Sequence, residues 1–211
     1  MAIGVMLFAV FQKDMASIKL YLESTDTIIS RQPLWLQGIQ IMLIGDFTGY
    51  WIHRALHNGW LRRFHAIHHS PVSLDWLSSV RLHPINDLLM RAPQVMVILG
   101  VGYSPISIVS YVPFLTLYAI MLHANLNWTY GKIGLVFASP VFHRWHHTAQ
   151  DENLNKNFAG LFPVFDMVFG TYYMPRGKAP ERFGVQSANV PDGFWGQMLY
   201  PFRKSDTKTL L

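Results

Sequence analysis

Arg62-Arg63-Phe64-His65-Ala66-Ile67-His68-His69-Ser70-Pro71 places three imidazoles within five residues, and the same H-x-x-H-H spacing returns at His143-Arg144-Trp145-His146-His147. On a helix, positions i, i+3 and i+4 share a face, so each copy is expected to aim three ring nitrogens at one point, as a metal site requires. With ten histidines in 211 residues, one H-x-x-H-H arises by chance roughly 0.02 times per chain, so two copies are a strong signal. A third cluster, His53-Arg54-Ala55-Leu56-His57, has the i, i+4 spacing that also faces one way. His83 and His123 stand outside the three clusters, each beside an apolar stretch. A lone histidine is more often a hydrogen-bonded core or surface residue than a ligand; eight grouped at metal-ligand spacing point the other way.

The surroundings of these clusters are oily. Hydrophobic residues make up 51% of the chain and charged ones 14%, about half the usual share, with mean hydropathy +0.19. A net charge of +5 and a pI near 9.5 would suit nucleic acid or an anionic membrane surface. The long apolar runs favour the membrane, and no nucleic-acid partner is expected. There is no cysteine, so disulfides and thiolate metal sites are excluded and any metal must be held by nitrogen and oxygen.

Residues 2–11 are apolar but lack a basic leader and a small-residue cleavage site, so no removable signal peptide is read there. Residues 12–33 are mixed and read as an amphipathic or loop segment. Pro33 then introduces Leu34 to Ile52, about 28 Å long as a helix and expected to be the first span. Asp46, Tyr50, His53 and His57 form one stripe along it. A carboxylate there needs a partner, and Asp46 is expected to accept the outer N–H of a ligating imidazole, with a plain helix-packing hydrogen bond as the alternative. Leu88 to Tyr103 and Pro105 to Leu122, separated by Gly100, Gly102, Ser104 and Pro105, read as a tight helical hairpin.

That topology brings His53, His57, His83 and His123 to one membrane face. Arg54, Arg62, Arg63, Arg81, Arg91, Lys132, Arg144 and Lys156 belong to the same side, which the positive-inside rule makes cytoplasmic. Residues 132–142 and 158–173 are apolar but broken by glycine and proline, and are expected to close over the site as interfacial or re-entrant pieces. Asp151 and Glu152 read as a solvated loop, whereas Asp166, in an apolar surround, is the better candidate to support a ligand. Asn127 is expected to share a helix face with His123 and to hydrogen-bond beside it. Trp128, Tyr130, Trp145 and Tyr103 read as interface anchors. The chain thus divides into an N-terminal segment (1–33), a membrane catalytic domain (34–175) and a cytoplasmic extension (176–211).

Eight to ten histidines are too many for one zinc ion, and two metals sharing them is the simpler count. None of Glu23, Glu152 or Glu181 has a histidine three residues on, and no H-E-x-x-H occurs, so carboxylate-rich di-iron and zinc-protease chemistries are excluded. Imidazole suits iron as well as zinc. Oxygen chemistry on a lipid uses every feature; a metal transporter or storage protein and a zinc-dependent membrane hydrolase are the rivals.

H-x-x-x-H, H-x-x-H-H and H-x-x-H-H in this order resemble the fatty acid hydroxylase and sterol desaturase superfamily of membrane di-iron oxygenases. The likeness extends to Tyr50-Trp51-Ile52-His53-Arg54, Phe64 to Pro71, Arg81-Leu82-His83-Pro84, His123-Ala124-Asn125, Pro140 to His147, and Phe169-Gly170-Thr171-Tyr172-Tyr173, over roughly residues 40–175. The resemblance implies an all-α integral membrane fold, with transmembrane helices and a cytoplasmic-face histidine-rich helical cap holding a di-metal centre. It implies two iron ions ligated by His53, His57, His65, His68, His69, His143, His146 and His147, with His83 and His123 as further ligands. It also implies O2 as co-substrate, a lipid substrate, electrons from a separate reductase, and a bacterial inner membrane or endoplasmic reticulum setting. No catalytic residue apart from the metal ligands is expected. The chain departs from the pattern at Asn86-Asp87, where many relatives carry an acidic residue slightly earlier, and in the shortness of the portion before Leu34.

Overall fold

The computed structural model describes residues 26–150, 155–185 and 190–203, and these are helical with no strand; one isolated bridge pairs Thr148 with Phe183. The expectation for the mixed segment before Asp26 and for Asp151 and Glu152 lies outside the described residues. The described residues form seven α-helices in order: α1 (Leu34–Leu56), α2 (Arg62–His69), α3 (Pro84–Val101), α4 (Pro105–His123), α5 (Pro140–His146), α6 (Val164–Val168) and α7 (Phe194–Leu199).

Local chemistry sets the ends of the three long helices. Pro84 and Pro105 occupy the first turns of α3 and α4, where a missing N–H costs nothing. The Ser104 hydroxyl caps α4 by accepting from the Ser107 amide, and the His83 ring caps α3 by accepting from the Ile85 amide. Gly102, at φ +101°, ends α3 in the left-handed conformation and makes the three-residue hairpin to α4 possible. This is the hairpin expected from the sequence.

α1 lies along α3 and also touches α4. Close approach depends on small residues: a Cβ at Gly38 would overlap the Tyr111 ring, and one at Gly49 would meet the Gln94 amide. Buried Gln37 ties the bundle at one end, donating to the Ser30 and Gln32 carbonyls while accepting from the Ser107 hydroxyl. At that same end Thr27 donates to the Gly102 carbonyl and Tyr111 to the Leu34 carbonyl. The opposite end therefore gathers the C-termini of α1 and α4 with the N-terminus of α3, and α2 and α5 lie there.

The bundle is apolar outside as well as inside. Trp35, Ile39, Leu43, Phe47 and Trp51 recur every fourth residue along α1 and are exposed, as are Met96 and Leu99 on α3 and Val109, Phe114 and Leu117 on α4. An exposed apolar surface this continuous marks a contact with lipid or protein. Among the described residues one helix, Pro105–His123, is long and apolar enough to cross a membrane, with mean hydropathy 1.8 over its best window. Leu34–Leu56, expected as the first span, is long enough, but Gln37, Gln40 and Asp46 leave it short of the same apolarity. Two expected anchors are buried instead: Tyr103 donates to the Gln40 side chain, and Trp145 packs edge-on against Tyr173.

Candidate metal centre

Nine of the ten histidines converge at the end of the bundle in two adjoining groups. His53, His57, His65, His69 and His146 form one and His68, His123, His143 and His147 the other, the candidate ligand atoms within each lying within 4.8 Å of one another. The groups share a wall, where the His69 and His147 rings stack with centroids 4.3 Å apart. Each H-x-x-H-H helix serves both groups: α2 gives His65 and His69 to the first and His68 to the second, while α5 gives His143 and His147 to the second and His146 to the first. This corrects the expectation that each motif aims at one point. From position i, the i+4 side chain is rotated about 40° one way around the helix and the i+3 side chain about 60° the other, so the i, i+4 pair stays together and the i+3 ring diverges.

The outer nitrogens show how the rings are held. His53 Nδ1 faces the Phe158 carbonyl at 2.7 Å, His146 Nδ1 the Lys156 carbonyl at 2.8 Å, and His123 Nδ1 the Ala119 carbonyl at 2.7 Å. His65 Nδ1 faces Asn86 Oδ1 at 2.9 Å and His57 Nδ1 faces Asn155 Oδ1 at 3.1 Å. A carbonyl oxygen can only accept, so each of these Nδ1 atoms carries the hydrogen and leaves Nε2 as a bare lone pair.

Those lone pairs point at one another. Nε2 of His53 and His65 are 3.0 Å apart, and Nε2 of His57 and His146 are 3.3 Å apart. With both hydrogens committed outward, neither contact is a hydrogen bond, and two buried lone pairs this close repel. A cation between them removes the repulsion. Two nitrogens each about 2.1 Å from one ion are about 3.0 Å apart at a right angle and about 3.4 Å apart at a tetrahedral one, which brackets these separations. Nε2 of His123 lies 3.1 Å from that of His68 and 3.0 Å from that of His143, so the second group is spaced the same way. Burial first, then the neighbouring imidazoles, hold His57, His65, His68, His69, His143, His146 and His147 well below the usual 6.5, hence neutral and ready to ligate. The donor set fits two metal ions of a kind that accepts nitrogen.

A family model described as fatty acid hydroxylase matches residues 38–171. The chain belongs to the fatty acid hydroxylase family. An ornithine lipid hydroxylase from Rhizobium tropici is 28% identical over 181 residues, covering 85% of this chain and 54% of that protein. An alkylglycerol monooxygenase from Caenorhabditis elegans is 30% identical over 141 residues, 66% of this chain and 28% of the relative. A methylsterol monooxygenase from Arabidopsis thaliana is 30% identical over 141 residues, 64% and 47% of the two chains. The chain thus spans about half the length of these relatives, or less. No solved structure matches.

Three residues expected to support the ligands contact no imidazole directly, and one expected ligand stands apart. Asp46 touches no imidazole: its carboxylate accepts the backbone N–H groups of Gly160 (2.8 Å), Leu161 (3.0 Å) and Phe162 (2.7 Å), pinning that segment to α1. Asn127 lies beyond the end of α4, so it shares no helix face with His123, and its Oδ1 accepts from Arg144 at 3.0 Å. Asp166 works at one remove. It accepts from the Phe158 and Ala159 amides and from the Thr171 hydroxyl, and so fixes the segment whose Phe158 carbonyl receives His53. His83 joins neither group; its Nε2 faces the Met198 carbonyl at 3.2 Å and its ring packs on Phe64. Its Nδ1 is already used as the cap of α3, whose first residue is Pro84.

Sequence reading missed Asn86 and Asn155, the side chains that orient His65 and His57, because a lone asparagine carries no spacing signal. It also missed Asn157, buried at φ +58°, whose amide donates to the Phe142 and Tyr173 carbonyls and so ties α5 to the 158–173 segment.

Proposed function

We propose that this protein is a membrane-bound di-iron oxygenase that hydroxylates or desaturates an unactivated C–H bond of a lipid, using O2 and electrons from a separate reductase. The observation that carries the reading is the pair of adjoining all-imidazole groups, with lone pairs turned inward in the first of them, in a bundle whose outer surface is apolar. When bound, two irons supply the reduction of O2 and the attack on the C–H bond. The nine converging histidines are the proposed ligands, and His83 is proposed to cap α3 instead.

This chain's own residues do the rest. Carbonyls of Phe158, Lys156 and Ala119 and the side chains of Asn86 and Asn155 lock five rings in one tautomer. Phe158 packs against His53, His57 and His146 with centroids 5.7, 5.0 and 5.7 Å away, which keeps water from that side of the first group. Among the described residues His57 and His69 are the partly exposed members, so the substrate carbon is proposed to approach past them. All four rings of the second group are buried.

The histidine end of the bundle carries Arg54, Arg62, Arg63 and Arg81, which supports a cytoplasmic placement of the site in a bacterial inner membrane or endoplasmic reticulum. The same basic face suits an acidic electron donor. The resemblance of relatives named as lipid hydroxylases and monooxygenases favours this over a metal transporter or zinc hydrolase. The test is incubation of the iron-loaded protein in lipid nanodiscs with a reductase system and isotope-labelled O2. Label should enter a lipid alcohol, or O2-dependent unsaturation should appear. Metal binding with neither product would reject the oxygenase reading.

A further inference from the structure

Beside the metal groups lies a cavity of about 490 Å³, bounded by the loop at Asn127 and Thr129, by Phe142 and Tyr172, and by the turn carrying Arg176 and Lys178. Among the described residues no carboxylate lines it. Among the described residues the ion pairs are Asp26–Arg31 and Asp87–Arg91, and none of these residues gives Arg176 or Lys178 an anionic partner. A third cation stands behind: Arg144 is 7% exposed, donates to Asn127 Oδ1 at 3.0 Å, and leaves its Nε without a partner. Arg176 and Lys178 on the lining, Arg144 behind Asn127 and several hydrogen-bonding groups thus border a space that suits a small organic molecule and exceeds what one inorganic anion fills.

The cavity also has an oily neighbour. Phe142 and Tyr172 belong to the apolar cluster with Leu122, Ala138, Tyr118 and Met174 that leads onto α4, the helix apolar enough to cross a membrane. Ile133, Leu135 and Val136, beside Gly131 and Gly134 of the opposite wall, are exposed. Anionic recognition next to a lipid-facing surface is what an amphiphile with a charged head requires.

We propose that this cavity binds a phosphate group, presented by the head of an anionic phospholipid whose chains lie along α4. Arg176 and Lys178 hold the phosphate, and Asn127 and Thr129 offer polar contacts to the rest of the head. The site deepens the reading of a lipid-acting enzyme by naming the headgroup that anchors at this end of the bundle, and its binding requires neither metal nor turnover.

The test uses the full chain in neutral-detergent micelles and native mass spectrometry with phosphatidylglycerol, diacylglycerol and glycerol phosphate as probes. Wild type should retain phosphatidylglycerol at least tenfold better than diacylglycerol. Arg176→Gln/Lys178→Gln should lose about tenfold in that affinity, as two partly solvated charge pairs to phosphate imply. Arg31→Gln/Arg91→Gln, which removes the same charge elsewhere, should lose little. Equal affinity for phosphatidylglycerol and glycerol phosphate would overturn the lipid source and leave a site for free phosphate esters. Equal losses in the two double variants, or none in the first, would overturn the site itself. Because the readout is binding, it can fail while lipid oxidation is observed, and the reverse.

Discussion

Replacing Asn86 by leucine removes one hydrogen-bond acceptor from the outer edge of the first histidine group while keeping a side chain branched at the same carbon. Asn86 sits in the first turn of α3, is 1% exposed, and holds His65 Nδ1 at 2.9 Å. Without it, either the Nδ1–H is left buried and unpaired, at a cost of about 1–3 kcal/mol, or the hydrogen moves to Nε2. There it would point at His53 Nε2 and His69 Nε2, 3.0 and 3.1 Å away, and abolish the donor the ion needs. At about 1.4 kcal/mol per decade this weakens the first group roughly 5- to 150-fold, in line with the ~10- to 100-fold typical for losing a residue that orients a ligand. The second group contains no His65 and should keep its affinity. Anaerobic iron(II) titration against a competing chelator resolves the two sites: Asn86→Leu should turn two similar steps into one tight and one weak, and Asn86→Asp should restore the first. Equal weakening of both steps, or of neither, would refute the assignment of Asn86 to one group.

Acidification should release metal and destabilise the fold. The folded-state imidazoles are held below 6.5, so between that value and the folded pKa the unfolded chain binds more protons; stability is present above 6.5 and is lost as the pH falls below it, which a thermal-unfolding series in nanodiscs checks. Substituting His83 by alanine should leave the metal-to-protein ratio unchanged and cost about 1 kcal/mol of stability through the lost cap on α3. Asp46→Ala strips the acceptor from three backbone amides and should cost roughly 2–5 kcal/mol, read as a lowered thermal midpoint, with the metal count retained in the protein that remains folded.

The helical hairpin, the three clusters and the convergence at one end were legible because each is written locally: apolar runs of helical length, proline and glycine at their ends, histidines at i, i+3 and i+4. The division of each H-x-x-H-H between two groups was not, since motif spacing fixes only which rings leave a helix together and not which neighbours meet them. The carboxylates misled for a related reason. Asp46 lies on the histidine stripe, yet amides at 160–162, more than a hundred residues away in the chain, compete for it and win. Asn86 and Asn155, which do orient ligands, carry no charge or periodicity that reveals this role, and Asn86 stands out only as a departure from the family pattern.

Counting iron tests the central claim most directly. Wild type, His146→Ala and His143→Ala, each loaded anaerobically with iron(II) and freed of excess metal, are analysed for iron per chain and by Mössbauer spectroscopy. The two-group arrangement predicts two irons in nitrogen-rich surroundings for wild type, with His146→Ala losing metal from the first group and His143→Ala from the second. A single iron in wild type, or full loading of both variants, would contradict it.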